Sequence, residues 1–191
     1  MSESNIVQFG NPILRKATKS LTPSQIKSKA TQTLISEMIT LLRDRKLGVG
    51  LAAPQVGKSL ALAVISIHPT PHRPKVEPFD LVIINPEIVA TKGKKRLQWE
   101  GCISSGDGEA GLFARVPRYP AIELAYTGLD GQPKQTWFSG LPAHVIQHEV
   151  DHLKGILFVD NVLDSSTYMT YHEYKKQRKN LQKQNNYSDV L

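Results

Sequence analysis

The apolar positions of this chain change their period several times, and each change marks an element. Thr22-Pro23-Ser24-Gln25 reads as a helix start, with Thr22 as the cap, Pro23 in the first turn and Gln25 closing a capping box. Ile26, Ala30, Leu34, Ile35, Met38, Ile39 and Leu42 follow at helical spacing. This predicts one helix ending near Lys46 or Leu47, with Gly48 as its stop. The texture then changes. Leu62–Ile67 and Leu81–Ile84 are short β-branched runs bounded by Pro and Gly, which predict strands. Between them Pro69, Pro71, Pro74 and Pro78 predict an irregular surface loop. Ala121–Tyr126 and Gln135–Phe138 flank Asp130-Gly131, a hairpin signal. A second apolar helix is expected around Val145–Leu153, capped by Ser139 and ended by Gly155. A C-terminal helix is expected from about Ser165. Helix, antiparallel strands, a central helix and a last helix make the fold class α+β.

Length and composition narrow the setting. The chain has 191 residues, 40% of them hydrophobic, which suits one domain spanning 1–191 with a sizeable core. No basic start followed by an apolar run appears at Met1-Ser2-Glu3-Ser4-Asn5, and no apolar stretch approaches the ~20 residues of a membrane span. The single cysteine excludes an internal disulfide and fits a reducing compartment. A cytoplasmic monomer without membrane contact is expected. The net charge is +7, from 24 Lys and Arg against 17 Asp and Glu. Its excess lies in two knots, Lys92, Lys94, Lys95 and Arg96, then Lys175, Lys176, Arg178, Lys179 and Lys183. Each reads as a solvated face or as a weak, salt-sensitive attraction to nucleic acid.

Chemistry enters at His148-Glu149-Val150-Asp151-His152. Residues four apart on a helix share one face, so both imidazoles can meet one metal ion with Glu149 beside it to move a proton. Val145, Ile146, Leu153, Ile156, Leu157 and Phe158 make the surroundings apolar. Burying two imidazoles and a carboxylate there is costly unless something pairs them. A zinc-like site needs a third protein ligand. The candidates are the downstream pair His172 and Glu173, and the only cysteine, Cys102, in Trp99-Glu100-Gly101-Cys102-Ile103-Ser104. A third stretch, Gly48-Val49-Gly50-Leu51-Ala52-Ala53-Pro54-Gln55, has glycines that let the backbone bend or approach a neighbour closely, and ends on an amide.

Taken in order, Gly-x-Gly-Leu-Ala-Ala-Pro-Gln over 48–55, Glu-Gly-Cys-x-Ser over 100–104 and Gln-His-Glu-x-Asp-His over 147–152 resemble the three signature motifs of the peptide deformylases. Ile103 stands where leucine is usual. The opening Ile6–Lys16 is similar as well, so the likeness runs from near residue 6 to about 160, leaving a basic helix or tail at about 165–191. The resemblance implies a peptide-deformylase-like fold, with antiparallel strands around a central metal-binding helix. It implies Cys102, His148 and His152 as metal ligands, Glu149 as the proton carrier, and the Gln55 amide with the Ile103 N–H as oxyanion donors. Val49, Gly50, Leu51 and Glu100 are the expected substrate-binding positions. The reaction implied is hydrolysis of the formyl group from N-formylmethionyl nascent chains, with release of formate. Fe2+ is the native ion implied, with Zn2+, Ni2+ or Co2+ as substitutes, and the basic tail would permit weak ribosome association, as the C-terminal helix does in some relatives.

Two departures from the family pattern stand out. The run Ser105-Gly106-Asp107-Gly108-Glu109-Ala110-Gly111 replaces the usual hydrophobic residue and proline, and would border the substrate cleft with acidic groups. His144 precedes His148 by one turn, where an apolar residue would suit a methionine pocket, and reads as a third imidazole near the metal or, in preference, as a polar rim. Arg115 and Arg118 carry no assignment. Two rival readings remain: an HExxH peptidase with a downstream ligand, and a deformylase-like protein with altered substrate or a binding-only role.

Overall fold

A computed structural model describes residues 6–44, 48–70, 74–106 and 110–184, with side chains as far as residue 178. The expected end of the first helix near Lys46, the acidic pair Asp107 and Glu109, and the side chains of Lys179 and Lys183 fall outside what is described.

The first helix is two. Thr22 caps α1 (Pro23–Lys27), and the capping box with Gln25 forms as its sequence requires. The chain then breaks at Ser28, whose backbone is extended (φ −65°, ψ 144°), before α2 (Lys29–Asp44) begins. A single periodic helix was the expectation. Ser28 overrides it because its hydroxyl donates to the Gln25 carbonyl at 2.7 Å and accepts from the Thr31 N–H at 3.3 Å, ending one helix and capping the next.

A five-stranded antiparallel sheet follows in the order β1 (Gly50–Ala52), β2 (Leu62–Ile67), β3 (Phe79–Lys92), β6 (Ala121–Thr127), β7 (Pro133–Ser139). Every residue of β2 is buried, because both faces are covered. Leu62 and Val64 meet Ile35, Met38 and Leu42 of α2. Ala63, Ile65 and Ile67 meet Val145, Ile146 and Val150 of α3 (Gly140–Leu153). A strand covered on both sides reads as a continuous apolar run, as Leu62–Ile67 does. β3 extends well past the four residues expected, through two irregularities at Ile84/Glu87 and Ile88/Ala90. At the first, Asn85 takes a positive φ of 51° and its side chain bonds both the N–H and the C=O of Leu21.

A second, three-stranded sheet was not foreseen. It pairs β4 (Arg96–Gly101), β5 (Leu112–Arg118) and β8 (Met169–Thr170). The C-terminal element begins not as a helix at Ser165 but as a 3-10 turn, Ser165–Thr167, and α4 starts at Tyr171 and runs to Gln184. Tyr171 and Tyr174 anchor α4 on Trp99 and Phe113, with the Phe113 and Tyr174 rings stacked 4.5 Å apart. Ser139 stands at the N-cap of α3 without the side-chain bond expected of it, and Gly155, at φ 76°, ends the helix region as expected. No described helix is long and apolar enough to cross a membrane.

Candidate metal centre and active site

Three elements meet at one buried point. The helix α3 brings His148 and His152 from its inward face, and their rings lie 4.9 Å apart. The end of β4 brings Cys102, held by Gly101. A Cβ on Gly101 would stand 2.5 Å from the Phe113 ring, so only glycine lets β4 pass this close to β5. The 3-10 turn Ala53–Val56 brings Gln55.

The ligand atoms of Cys102, His148 and His152 all lie within 4.8 Å of one another. The Cys102 thiol is 3.3 Å from His152 Nε2. His152 Nδ1 is buried without a hydrogen-bond partner. A soft sulfur and two borderline nitrogens converging at a buried point fit a divalent transition ion. Among the described residues this is the one group of three potential ligands found, and His172 and Glu173 are not in it. The downstream-ligand reading therefore falls, because α4 is spent on the second sheet.

Around the three stands a charged frame. Glu100 is fully buried, and its carboxylate accepts four N–H bonds. Arg118 Nε and Nη2 grip it as a fork at 2.6 and 3.0 Å. His144 Nε2 reaches Oε1 at 2.6 Å, and His148 Nδ1 reaches Oε2 at 3.1 Å. Burial alone would push this carboxyl up, but Arg118 and the two histidines hold it well below the usual carboxylate range. Arg118 is raised in turn, Glu100 and Asp151 outweighing its own burial. Its Nη1 donates to Asp151 Oδ2 at 2.6 Å, which Asn161 also reaches at 3.1 Å. The Asp of the His-Glu-x-Asp-His stretch thus ties α3 to β5. Gln147 ties it to the next turn, exchanging bonds with the Tyr119 backbone at 3.0 and 2.9 Å.

Glu149 faces β1. It is 3% exposed, Oε2 has no partner, and burial pushes its pKa up to about 7, with His148 pulling it down and Glu100 adding to the rise. Its side chain lies against the bare Cα of Gly50: a Cβ there would collide with Oε1 and stand 2.8 Å from Cδ and 2.9 Å from Cγ. Gly50 is therefore a socket for Glu149. Gln55 turns its Oε1 to the Ala52 N–H at 2.8 Å and points Nε2 at the Ser104 hydroxyl, 3.1 Å, and the Cys102 sulfur, 3.5 Å. Ile103 is partly buried, and its carbonyl accepts from Gln8 at 3.2 Å. Val49 and Leu51 are buried on either side of Gly50, and β1 is an edge of its sheet.

One expectation narrows and one needs correcting. Glu100 was expected among the substrate-binding positions; its side chain has no exposure and is spent on the frame, which leaves its backbone as the part a peptide could meet. His144 was expected at a polar rim and is instead 4% exposed and bonded to Glu100. Arg118 and Asp151 were not foreseen at all. The available signal was a charge balance: a buried carboxylate beside two imidazoles demands a cation, and Arg118 closes the apolar alternation of β5.

A helix-borne His-Glu-x-x-His with a cysteine completing the donor set, on an α+β frame, defines a metal-dependent hydrolase. The polypeptide deformylase family model matches residues 3–167. A peptide deformylase 2 of Nostoc sp. is 36% identical over 174 residues, covering 90% of this chain and 92% of that protein. The peptide deformylase of Aquifex aeolicus is 37% identical over 172 residues, covering 90% and 95%. Among solved structures, a class I type b peptide deformylase of Acinetobacter baumannii bound to Met-Ala-Ser superposes with a TM-score of 0.75 at 33% identity, covering 82% of this chain and 96% of that one. The Thermotoga maritima peptide deformylase gives 0.69 at 32% identity, covering 83% and 97%. The chain belongs to the polypeptide deformylase family. Its function is hydrolytic removal of the formyl group from N-formylmethionyl chains, and the binding-only alternative is not favoured.

Proposed function

We propose that Cys102, His148 and His152 hold the cation of this deformylase and that Fe2+ is its native ion. The observation that carries the reading is the convergence of one sulfur and two ring nitrogens within 4.8 Å, with the Glu149 carboxylate seated against Gly50 beside them. A thiolate with two imidazoles accepts Fe2+, Zn2+, Co2+ or Ni2+, and affinity alone does not choose. Bound there, the ion would supply hydroxide from water near neutral pH.

The residues then divide the work. Glu149 takes the proton of the attacking water and passes it to the departing amine nitrogen. The new C–O bond forms at the formyl carbon, the C–N bond breaks, and formate and a free amine leave. Negative charge grows on the formyl oxygen, where the Gln55 Nε2–H and the Ile103 N–H donate. Losing one such donor costs about 3–4 kcal/mol in the transition state. The peptide lies extended along the open edge of β1, pairing with the backbone of Val49, Gly50 and Leu51. A relative holds the methionine-led tripeptide Met-Ala-Ser, which supports an N-formylmethionyl substrate here.

The single cysteine and the nascent-chain substrate fit the cytoplasm. Lys175, Lys176 and Arg178 on α4, extended in the sequence by Lys179 and Lys183, support weak, salt-sensitive ribosome association by a monomeric enzyme. The test is formate release from a formyl-Met peptide by protein purified without oxygen. Iron content near one per chain with activity lost in air is expected, and Cys102→Ala should abolish both metal and activity. Full activity with stable zinc alone would overturn the iron assignment.

A further inference from the structure

We propose that His144 is a positioning residue for the metal centre, acting through Glu100 on His148. The inference rests on the reading that His148 is a metal ligand. The route is short. Glu100 Oε1 is held by two short bonds, from Arg118 Nε and His144 Nε2, both 2.6 Å. Oε2 is held by two longer ones, from Arg118 Nη2 at 3.0 Å and His148 Nδ1 at 3.1 Å. An ionised carboxylate only accepts, so each histidine must give it an N–H. His148 is thereby fixed with its proton on Nδ1 and its Nε2 lone pair free for a ligand bond, a partnership that also sets the plane of the ring.

What His144 adds is the second anchor on Oε1. Arg118 grips both oxygens from one side, and its Nη1 is itself anchored on Asp151 at 2.6 Å. What this fork leaves open is a tilt of the Glu100 carboxylate out of the guanidinium plane, which would carry the His148 ring with it and which a second donor on Oε1 opposes. His144 stands one helical turn before His148, so both rings approach Glu100 from the same face of α3. The other ring nitrogen, Nδ1 of His144, is buried without a partner. The residue therefore spends one donor on Glu100 and none elsewhere, which is more than packing alone would ask of a 4%-exposed helix position. A residue that only filled space could be replaced by leucine. A residue that supplies a donor could be replaced by glutamine, whose amide N–H reaches about as far.

The experiment compares Co2+ binding by the metal-free parent, His144→Leu and His144→Gln under anaerobic titration. Removing a partner that orients a ligand costs metal affinity roughly 10- to 100-fold. The Co2+ dissociation constant should rise by about that factor in His144→Leu and stay within about threefold of the parent in His144→Gln. A second measurement needs no variant: nitrogen-15 resonances of the zinc-loaded parent should show a protonated Nε2 on His144 and a protonated Nδ1 on His148. Unchanged Co2+ affinity in folded His144→Leu, a glutamine variant as weak as the leucine one, or a bare His144 Nε2 would each overturn the proposal. A parent that binds no Co2+ would instead bring down the metal reading beneath it.

Discussion

Gly50→Ala is the sharpest perturbation available, because it adds one methyl group where β1 packs directly against the proposed proton carrier. The new Cβ would collide with Oε1 of Glu149 and stand 2.8 Å from its Cδ and 2.9 Å from its Cγ. Turning the carboxylate alone cannot relieve this, since the aliphatic stem is crowded too. Either Glu149 leaves its rotamer or β1 retreats from α3. Side chains forced off their rotamers cost about 0.5–1.5 kcal/mol, and overpacking a filled core costs about 1–3 kcal/mol, so the protein should fold with a lowered Tm. The chemistry should suffer more. Displacing a reacting group by ~1 Å costs on the order of 10²-fold in rate, which is about 2.7 kcal/mol of transition-state stabilisation. Cys102, His148 and His152 lie outside the collision, so metal content should stay near that of the parent.

The assay is kcat and KM for a formyl-Met peptide with metal content measured on the same sample. A kcat about 100-fold lower at unchanged metal content is expected. Because the peptide is also proposed to run along β1, a rise in KM with kcat intact would locate the damage in peptide binding and refute the socket argument. A second background sharpens the distinction. If Gly50→Ala acts by moving Glu149, it should cost little more once Glu149→Gln is already present, since residues acting as one unit are not additive. A full additional 100-fold loss in that background would sink the idea.

Other expectations follow from the same geometry. Glu149→Gln should lower kcat by ~10²-fold or more while leaving metal content near normal, and an emptied site in that variant would make Glu149 structural. Arg118→Leu should destabilise the fold by about 3–5 kcal/mol, since it strands the buried Glu100 charge, read as a fall in Tm, and a shift of under 1 kcal/mol would mean the frame is not held by charge. Asp80 gives a test by pH. Its burial raises the carboxyl, but bonds from Ser66 and His68 and the charge of Arg43 bring it below its ordinary value. A depressed folded pKa contributes stability that is present above the unfolded value, about 3.9, and is lost as pH falls through the folded one. The Tm gap between parent and Asp80→Asn should therefore be widest near pH 6 and close towards pH 3, and a gap that grew on acidification would contradict the assignment.

The sequence made some parts of this molecule legible and hid others for a physical reason. The capping box at Thr22, the runs Leu62–Ile67 and Ala121–Tyr126 and the His-Glu-x-x-His face of α3 rest on interactions among near neighbours, so spacing reveals them. Ser28 also acts locally, yet its hydroxyl competes with a continuous apolar stripe, and periodicity counts only the stripe. The second sheet was invisible because β4 and β5 meet across the interruption at 102–111, and their alternation is blurred: Arg96 and Leu97 are both exposed, while Trp99, Glu100 and Gly101 are all buried.

The charged frame shows the limit most clearly. Glu100, Arg118, His144 and Asp151 come from three elements, and nothing in their local sequence says that they meet. Yet the need for such a meeting was readable. Two imidazoles, a glutamate and a second glutamate sat in segments too apolar to be solvated, and buried charge without a partner is expensive. Motif spacing named the groups that would touch a metal. The requirement that every buried charge be answered points to the groups that must stand behind them, and the candidates were few: a basic residue and a histidine inside otherwise apolar runs. Arg118 at the end of β5 and His144 in α3 meet that description. Charge balance across buried segments is therefore a second reading of the same sequence, and here it leads from the ligands to the residues that hold them.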